Sequence, residues 1–219
     1  MLLFAWYAIN SLTHSLSHAL YFYFISYTLA VVGVVTSPDF VNPSGKLSVI
    51  DLKSKTIVTE IELPGQPDAV DVSKFDDVDP PYYIAIAIEN ERDEDLGDGV
   101  PPQLPGGLLT IVDIPNDAAL KDPSKWTTRD INLSDFATAE AACRFPTDLE
   151  PEYVSINADN TKVVITIQEN NCNLVVDLQT GDVINAINAG SVDLENIDLT
   201  EDGIIDQSEK GSFFREPDG

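Results

Sequence analysis

A four-strand pattern, written twice and begun again, limits this chain more than any other feature. Residues 149–178 hold three short β-rich runs, at 153–156, 163–167 and 174–178. The turn formers Asn157-Ala158-Asp159-Asn160 separate the first two. Thr180-Gly181-Asp182 then turns the chain into a fourth run at 183–187. Such spacing describes an antiparallel meander, each strand paired with its sequence neighbour. The block has an earlier copy. Gln66-Pro67-Asp68-Ala69-Val70 echoes Glu150-Pro151-Glu152-Tyr153-Val154, and 84–90, ending in Glu89-Asn90, echoes 164–170, ending in Glu169-Asn170. The Val-Asp core of 109–114 echoes that of 172–178, with a third version at 45–52 ending in Ile50-Asp51-Leu52. Glu216-Pro217-Asp218 opens a further copy.

Self-similar four-stranded units at long spacing are the signature of a β-propeller. A β-sandwich with look-alike strands is the alternative, and the constant order of opener and Glu-Asn pair favours the propeller. Closed propellers use about four to eight blades. The repeats here predict an all-β, incomplete propeller of about three four-stranded blades, preceded by an apolar segment. The expected division is 1–30 for that segment and 31–219 for the partial propeller, which is expected to be a piece of a larger ring.

Charge narrows the partners. The formal net charge is −25. All 12 basic residues, and all but Asp39 of the 37 acidic ones, fall after residue 45. A surface of this sign repels nucleic acid, which is excluded as a partner, and suits hard cations, basic partners or a salty exterior. The two histidines, His14 and His18, both lie in the apolar segment. Ser-His-Asp chemistry and His-ligated zinc are thereby excluded from the β-rich region, and any metal there would be held by oxygen, favouring calcium or magnesium.

Residues 1–30 are apolar and aromatic without a basic flank, and 19–35 is about long enough for a marginal membrane span. Three readings stand side by side: a signal or membrane anchor, a stretch foreign to the domain, or core strands. The run 31–36 is expected to be the first strand, followed by a loop at 37–45 and strands at 46–52 and 56–63. An acidic loop with Asp76, Asp77 and Asp79 precedes an alternating run at 82–88. A Pro- and Gly-rich insertion covers 89–107, and an inter-blade excursion with a short helix at 134–142 covers 115–147.

Four features are candidate sites. The first is the acidic insertion, where Glu89, Glu91, Asp93, Asp95 and Asp98 have the oxygen chemistry to wrap calcium. A solvated loop with Arg92 paired locally is its alternative. In the second, Asp198, Asp202, Asp206 and Glu209 stand at the spacing of an EF-hand loop with Gly203 at its sixth position. The flanks read as strand and turn, so a β-hairpin around Glu201-Asp202-Gly203 is the favoured form. The third is the pair Cys143 and Cys172, which the meander brings to one end of a blade, as a disulfide or as two free thiols. The same geometry places Glu152 and Glu169 near one rim. The fourth is Asn132-Leu133-Ser134, a sequon for N-glycosylation.

Several motifs together resemble the choice-of-anchor I domain proteins, a group that includes mesenchyme-specific cell-surface glycoproteins and atypical alkaline phosphatases. They are Gly65-Gln66-Pro67-Asp68, the run Ala87 through Glu94, Leu96-Gly97-Asp98-Gly99, Pro102-Gln103-Leu104-Pro105, Glu150-Pro151-Glu152-Tyr153-Val154, Gln168-Glu169-Asn170-Asn171 and Ala189-Gly190-Ser191-Val192-Asp193. The resemblance implies a secreted or surface-anchored β-propeller. The function expected first is a non-catalytic module that presents acidic loops to a protein or other extracellular ligand, with calcium stiffening the loops and the N-terminal segment as a membrane anchor. The second is a metal-dependent phosphomonoesterase, implied by the family names alone. Glu89, Glu91, Asp93 and Glu169 would hold its metals, and Arg92 would face the phosphate.

Overall fold

Among the described residues, fourteen strands, named β1 to β14 in chain order, account for nearly all the regular structure. The computed structural model describes residues 19–24, 28–75, 78–93, 95–96, 102–200, 203–205 and 207–217. The first sheet comprises β1 (Ala19–Phe24), β2 (Leu29–Val35), β3 (Gly45–Asp51) and β4 (Thr56–Leu63). The second comprises β5 (Pro67–Val72), β6 (Tyr82–Ile88), β7 (Leu108–Ile114) and β8 (Thr127–Ile131). The third comprises β9 (Pro151–Ile156), β10 (Lys162–Ile167), β11 (Cys172–Asp177) and β12 (Val183–Asn188). In each, strands follow sequence order and pair antiparallel. β1, β5 and β9 lie side by side. Each sheet therefore runs outward from a common centre, as the blades of a propeller do.

The expected first strand at 31–36 falls in β2, because β1 pairs ahead of it from Ala19 to Val34. Of the three readings for the apolar segment, strands hold for 19–24 and 29–35. Residues 1–18, with His14 and His18, lie outside the described residues, as do Asp76 and Asp77. Among the described residues, no helix is long and apolar enough to cross a membrane.

Period-two patterning explains how the blades stack. On β6, Ile84, Ile86 and Ile88 face the first sheet and pack with Val31, Leu47, Val49 and Val70. Ala85 and Ala87 face the third sheet and pack with Val154, Val163, Ile165 and Ile167. β6 is thus buried on both faces, whereas β10 alternates between buried and partly or fully exposed positions. Small residues on β6 meet large ones on the third sheet, which lets the two sheets approach closely.

The repeat holds at the level of single atoms. Asp51 and Asp177 end the third strands of their blades. Asp51 Oδ1 accepts from the N–H groups of Lys53 and Ser54, both at 2.8 Å. Asp177 Oδ1 accepts from Gln179 and Thr180, both at 2.9 Å. Lys55 N–H and Gly181 N–H then donate to the carbonyls of Asp51 and Asp177. Both of these fourth-turn residues have positive φ, 59° and 81°. In the middle blade Asp113 instead holds Arg129 through two bonds, at 2.7 and 2.8 Å.

One alignment shifts. Pro67 pairs with Ile88 and Pro151 with Ile167, so Ile88 matches Ile167 rather than Gln168. The echo of 84–90 in 164–170 is out by one residue along the strand. It returns to step at the asparagines, because the 168–171 turn contains one extra residue.

The expected inter-blade excursion 115–147 holds only in part, because it contains β8, the fourth strand of the second blade. After β8 come the 3-10 turn Leu133–Asp135 and the helix α1 (Ala137–Ala142), within the expected 134–142. The helix lies on β12. After β12, β13 (Ser191–Ile197) and β14 (Glu209–Phe214) pair antiparallel before the last opener, Glu216-Pro217; the connection 198–208 is longer than the expected Asp-Gly turn, and Glu201 and Asp202 lie outside the described residues.

Candidate functional site

The openers of the second and third blades are each held by an asparagine just past the end of that blade's second strand. Asn90 Oδ1 accepts from Gln66 N–H at 3.0 Å, and its amide donates to Gly106 O at 3.1 Å. Asn170 Oδ1 accepts from Glu150 N–H at 3.0 Å. Its amide donates to Arg144 O and Asp148 O, both at 2.8 Å, and to Phe145 O at 3.3 Å. Both asparagines are buried. Asn90 adopts a left-handed φ of 52°, which Asn tolerates better than most residues.

Glycine completes the seam. A Cβ on Gly45 would collide with the Pro67 ring, and one on Gly107 with the Pro151 ring and the Ile88 carbonyl. The two glycines occupy equivalent places at the start of a third strand, each under the next blade's opener. Asn171 fills that place in the third blade, with φ 56°.

The insertion 89–107 crosses from the second blade to the third. Gly107 N–H donates to Leu149 O at 2.7 Å, and Gln103 N–H to Asp148 Oδ2 at 2.6 Å. The Gln103 side chain ties the loop to itself, accepting from Asp93 N–H at 3.1 Å and donating to Asp93 O at 2.9 Å. Arg92 lies between two carboxylates of the third blade, 2.8 Å from Glu150 Oε2 and 3.2 Å from Glu169 Oε2. The side chains of Arg92 and Glu150 are 10% and 3% exposed. Beside them, Glu91 accepts from the Gln66 amide at 3.2 Å.

This rim is crowded with carboxylates. Burial pushes Glu89 up to about 9, with the charges of Asp68, Glu91, Glu150 and Glu152 adding to it. Burial raises Glu150 to about 7 despite Arg92, with Asp148 and Glu169 contributing. Asp148 is also raised by burial. Glu150 Oε1 and Asp148 Oδ1 are buried without a hydrogen-bond donor. Glu152, expected on the same rim as Glu169, takes the reoriented Gln168 amide.

Of the expected metal set, Glu89 and Glu91 lie in this cluster. Asp93 turns aside into a local turn, its Oδ1 accepting from Asp95 N–H at 3.0 Å, and Asp95 is exposed. Asp98 lies outside the described residues. In the second set, strands rather than helices flank the loop. Glu209 closes the hairpin by accepting from Leu199 N–H at 2.5 Å, Thr200 N–H at 3.1 Å and Thr200 Oγ1 at 2.9 Å. Asp198 is exposed at the end of β13, while Asp202 and Asp206 lie outside the described residues. Among the described residues, no three His, Cys, Asp or Glu side chains form a group that could hold a metal ion. Cys143 and Cys172 are joined in a disulfide with Cα atoms 5.2 Å apart, tying the end of α1 to the start of β11. Asn132 is exposed, its side chain bonded to Ser134 N–H and Asp135 in a tight turn.

The sequence reading missed Asp148 and Glu150 as site residues and saw the recurring asparagines only as repeat markers. A polar residue that recurs at one strand end, beside a proline opener, was the available signal for the hub.

The opposite end of this seam is also closed by side chains. Asp71 Oδ2 accepts from Ile156 N–H at 2.7 Å. Asn160 and Lys74 exchange two bonds, at 3.0 and 2.8 Å. The acidic rim is therefore carried on a seam fixed at both ends.

Two solved structures are similar in part. Hydrazine synthase from Kuenenia stuttgartiensis matches at TM-score 0.44 and 11% identity, over 69% of this chain and 37% of that one. Dihydro-heme d1 dehydrogenase NirN in complex with DHE matches at TM-score 0.46 and 18% identity, over 78% of this chain and 28% of that one. The chain thus spans well under half the length of either. No curated protein sequence matches it. The choice-of-anchor I domain model matches residues 15–218, nearly the whole length, and the chain belongs to that family.

Proposed function

We propose that this chain is a non-catalytic propeller module of an extracellular or cell-surface protein, and that it binds through the acidic rim between its second and third blades. The observation that carries this is the state of Arg92. In the phosphoesterase reading Arg92 faces phosphate and Glu169 holds metal. Here the two are bonded to each other, and Glu150 takes the rest of the guanidinium. A phosphate approaching Arg92 would meet two carboxylates first, which repel it. What remains is a stiff acidic surface suited to binding. Family membership and the Cys143–Cys172 disulfide both support an oxidising, exported setting.

Hydrolysis of p-nitrophenyl phosphate, with and without calcium, tests the reading on the full-length protein. The expected result is no turnover in either condition. Turnover abolished by Glu169→Gln would replace the module with an enzyme. Calcium as a loop stabiliser is part of the same proposal, resting on the carboxylates of Glu89 and Glu91 at the start of the acidic insertion. A rise in melting temperature with calcium, lost on Glu91→Gln, is its signature.

A further inference from the structure

The strands β13 and β14 form a sheet of their own, joined to no blade, so among the described residues each keeps one free edge. Two-stranded ribbons are marginal in water, and a free edge invites another strand. The two edges differ. Arg215 N–H donates to Gly190 O across the ribbon, and the register continues through Val192 opposite Phe213 and Leu194 opposite Gly211. Hydrogen-bonded pairs alternate with non-bonded ones along an antiparallel ladder. Lys210, Ser212 and Phe214 therefore turn their backbone groups to the free edge of β14, and Ser191, Asp193 and Glu195 turn theirs to the free edge of β13. Two acids guard β13 against a strand of another acidic chain. β14 has no such guard. Residues 209–215 carry two basic side chains and one acidic, in a chain whose net charge is −25.

We propose that β14 pairs antiparallel with β14 of a second copy of this chain, about a two-fold axis at Ser212. Outward backbone groups then meet outward ones: Ser212 lies opposite its counterpart and Lys210 opposite Phe214 of the second copy, making about six backbone hydrogen bonds. The side chains match in the same register. Glu209 lies opposite Arg215 of the second copy at both ends. Glu209 Oε1 holds a single bond, from Thr200 Oγ1, and Arg215 is exposed, so both are able to pair. Gly211 lies opposite Phe213 of the second copy. A Cβ on Gly211 would meet the Phe213 ring of its own strand, with Leu199 beside it. The rings of both copies thus close over a pair of glycines, covering a face on which Phe213, Leu194 and Leu199 are 36%, 41% and 48% exposed. On the other face Lys210 meets the Phe214 ring, which already takes the Arg144 guanidinium at 4.0 Å. A single strand pair buries less than a standard interface, so the dimer dissociates in the range of about 10–100 μM.

Sedimentation equilibrium of the whole chain, loaded to about fivefold above that range, tests this. The expected result is an association that stops at two copies. Ser212→Pro removes an outward N–H without touching the bonds to β13, and should weaken the dimer tenfold or more. Arg215→Glu sets an acid against Glu209 twice and should do the same, whereas Asp193→Asn on the opposite edge should change it by less than twofold. Thermal melting first shows that each variant is folded. Register is read with single cysteines, since Cys143 and Cys172 are already joined. Cα atoms of a hydrogen-bonded pair lie about 5.5 Å apart, within disulfide reach. Mild oxidation should therefore link Ser212→Cys to its copy and leave Asp193→Cys, further from the axis by a strand on each side, unlinked. A chain monomeric throughout the range overturns the proposal. So does growth beyond dimers, which means that β14 takes β13 of the next copy, or a dimer indifferent to both Ser212→Pro and Arg215→Glu, or linkage of Asp193→Cys as fast as that of Ser212→Cys. None of these variants alters a residue of the acidic rim, so failure here and failure of the module reading are separate results.

Discussion

Replacing Asn170 by alanine should be among the most damaging single changes in the protein. The side chain is fully buried and serves Glu150 N–H, Arg144 O and Asp148 O at 3.0 Å or less, with Phe145 O further off at 3.3 Å. Truncation strands the three closest groups. A buried unpaired polar group costs about 1–3 kcal/mol. Water entering the space recovers part of that, so N170A should cost about 3–5 kcal/mol. At roughly 2–4 °C per kcal/mol for a domain of this size, the melting temperature should fall by about 10 °C. Asn90 serves only two groups, Gln66 N–H and Gly106 O, so N90A should cost about half as much. Asn170→Asp should be at least as harmful as alanine near neutral pH, since it aims a carboxylate at three carbonyls. Gln179→Ala, at an exposed turn position, is the control and should stay within about 0.5 kcal/mol. Urea unfolding followed by fluorescence gives the midpoints at constant slope. A loss under about 1 kcal/mol in N170A, or N90A worse than N170A, would refute the hub as the element that fixes the seam.

Three further outcomes are expected. Gly107→Ala puts a methyl against the Pro151 ring and the Ile88 carbonyl, so the blades must separate. The cost should be about 3 kcal/mol, against about 1–2 kcal/mol at Gly190, where no atom lies within 4 Å and the φ of 78° alone resists a side chain. Glu150 and Glu89 bind their protons more tightly in the folded state than in an unfolded chain, where Glu titrates near ~4.3. Their contribution is therefore whole below that pH and is lost as pH rises through about 7 and then about 9. Urea midpoints should fall from pH 6 to pH 10, and Glu89→Gln should remove the upper part of the fall; a midpoint that rises over this range contradicts the assignment. Removing the disulfide, whose cysteines are 29 residues apart, with paired serines at 143 and 172 should cost about 2–4 kcal/mol, read as a shift in urea midpoint. A shift no larger than that of the Gln179→Ala control would show that the link is redundant.

Strand positions were legible because they depend on short-range pattern. Thr56–Leu63 and Tyr82–Ile88 match the sequence reading residue for residue, bounded by Pro64-Gly65 and by Glu89-Asn90. The N-terminal strand was obscured because Ala19–Phe24 and Leu29–Val35 together look like one apolar span. An uninterrupted apolar run gives no periodicity by which to tell two buried strands from a helix. The rim was half legible. Glu89 and Glu91 stood out as acids on a loop, but Asp148 and Glu150 joined them only through a contact bridging 58 residues, from Arg92 to Glu150. No local pattern encodes a partner that far away. The alignment error of one residue has a similar origin. Sequence similarity fixed the asparagines, while hydrogen-bond register fixes the strand.

The two openers explain why the insertion begins with Glu91 followed by Arg92. Gln66 and Glu150 occupy the same place in successive blades, and each gives its N–H to the blade's own asparagine. Their side chains differ by one atom type and meet opposite partners. Gln66 carries an amide donor, and the loop offers it the Glu91 carboxylate. Glu150 carries an acceptor, and the next residue of the loop offers it the Arg92 guanidinium. Consecutive residues on an extended segment point opposite ways, so one dipeptide can address two neighbouring blades, and the order of its charges must match the order of the openers. Exchanging Glu91 and Arg92 would set a carboxylate against Glu150, where burial already disfavours one charge, while Gln66, whose amide both donates and accepts, could turn its oxygen to the guanidinium, so the cost falls on the Glu150 side. The hydrophobic faces of the blades cannot supply that discrimination, since apolar packing is non-directional. The pairing of Glu91 with Gln66 and of Arg92 with Glu150 therefore sets which two blades the insertion joins.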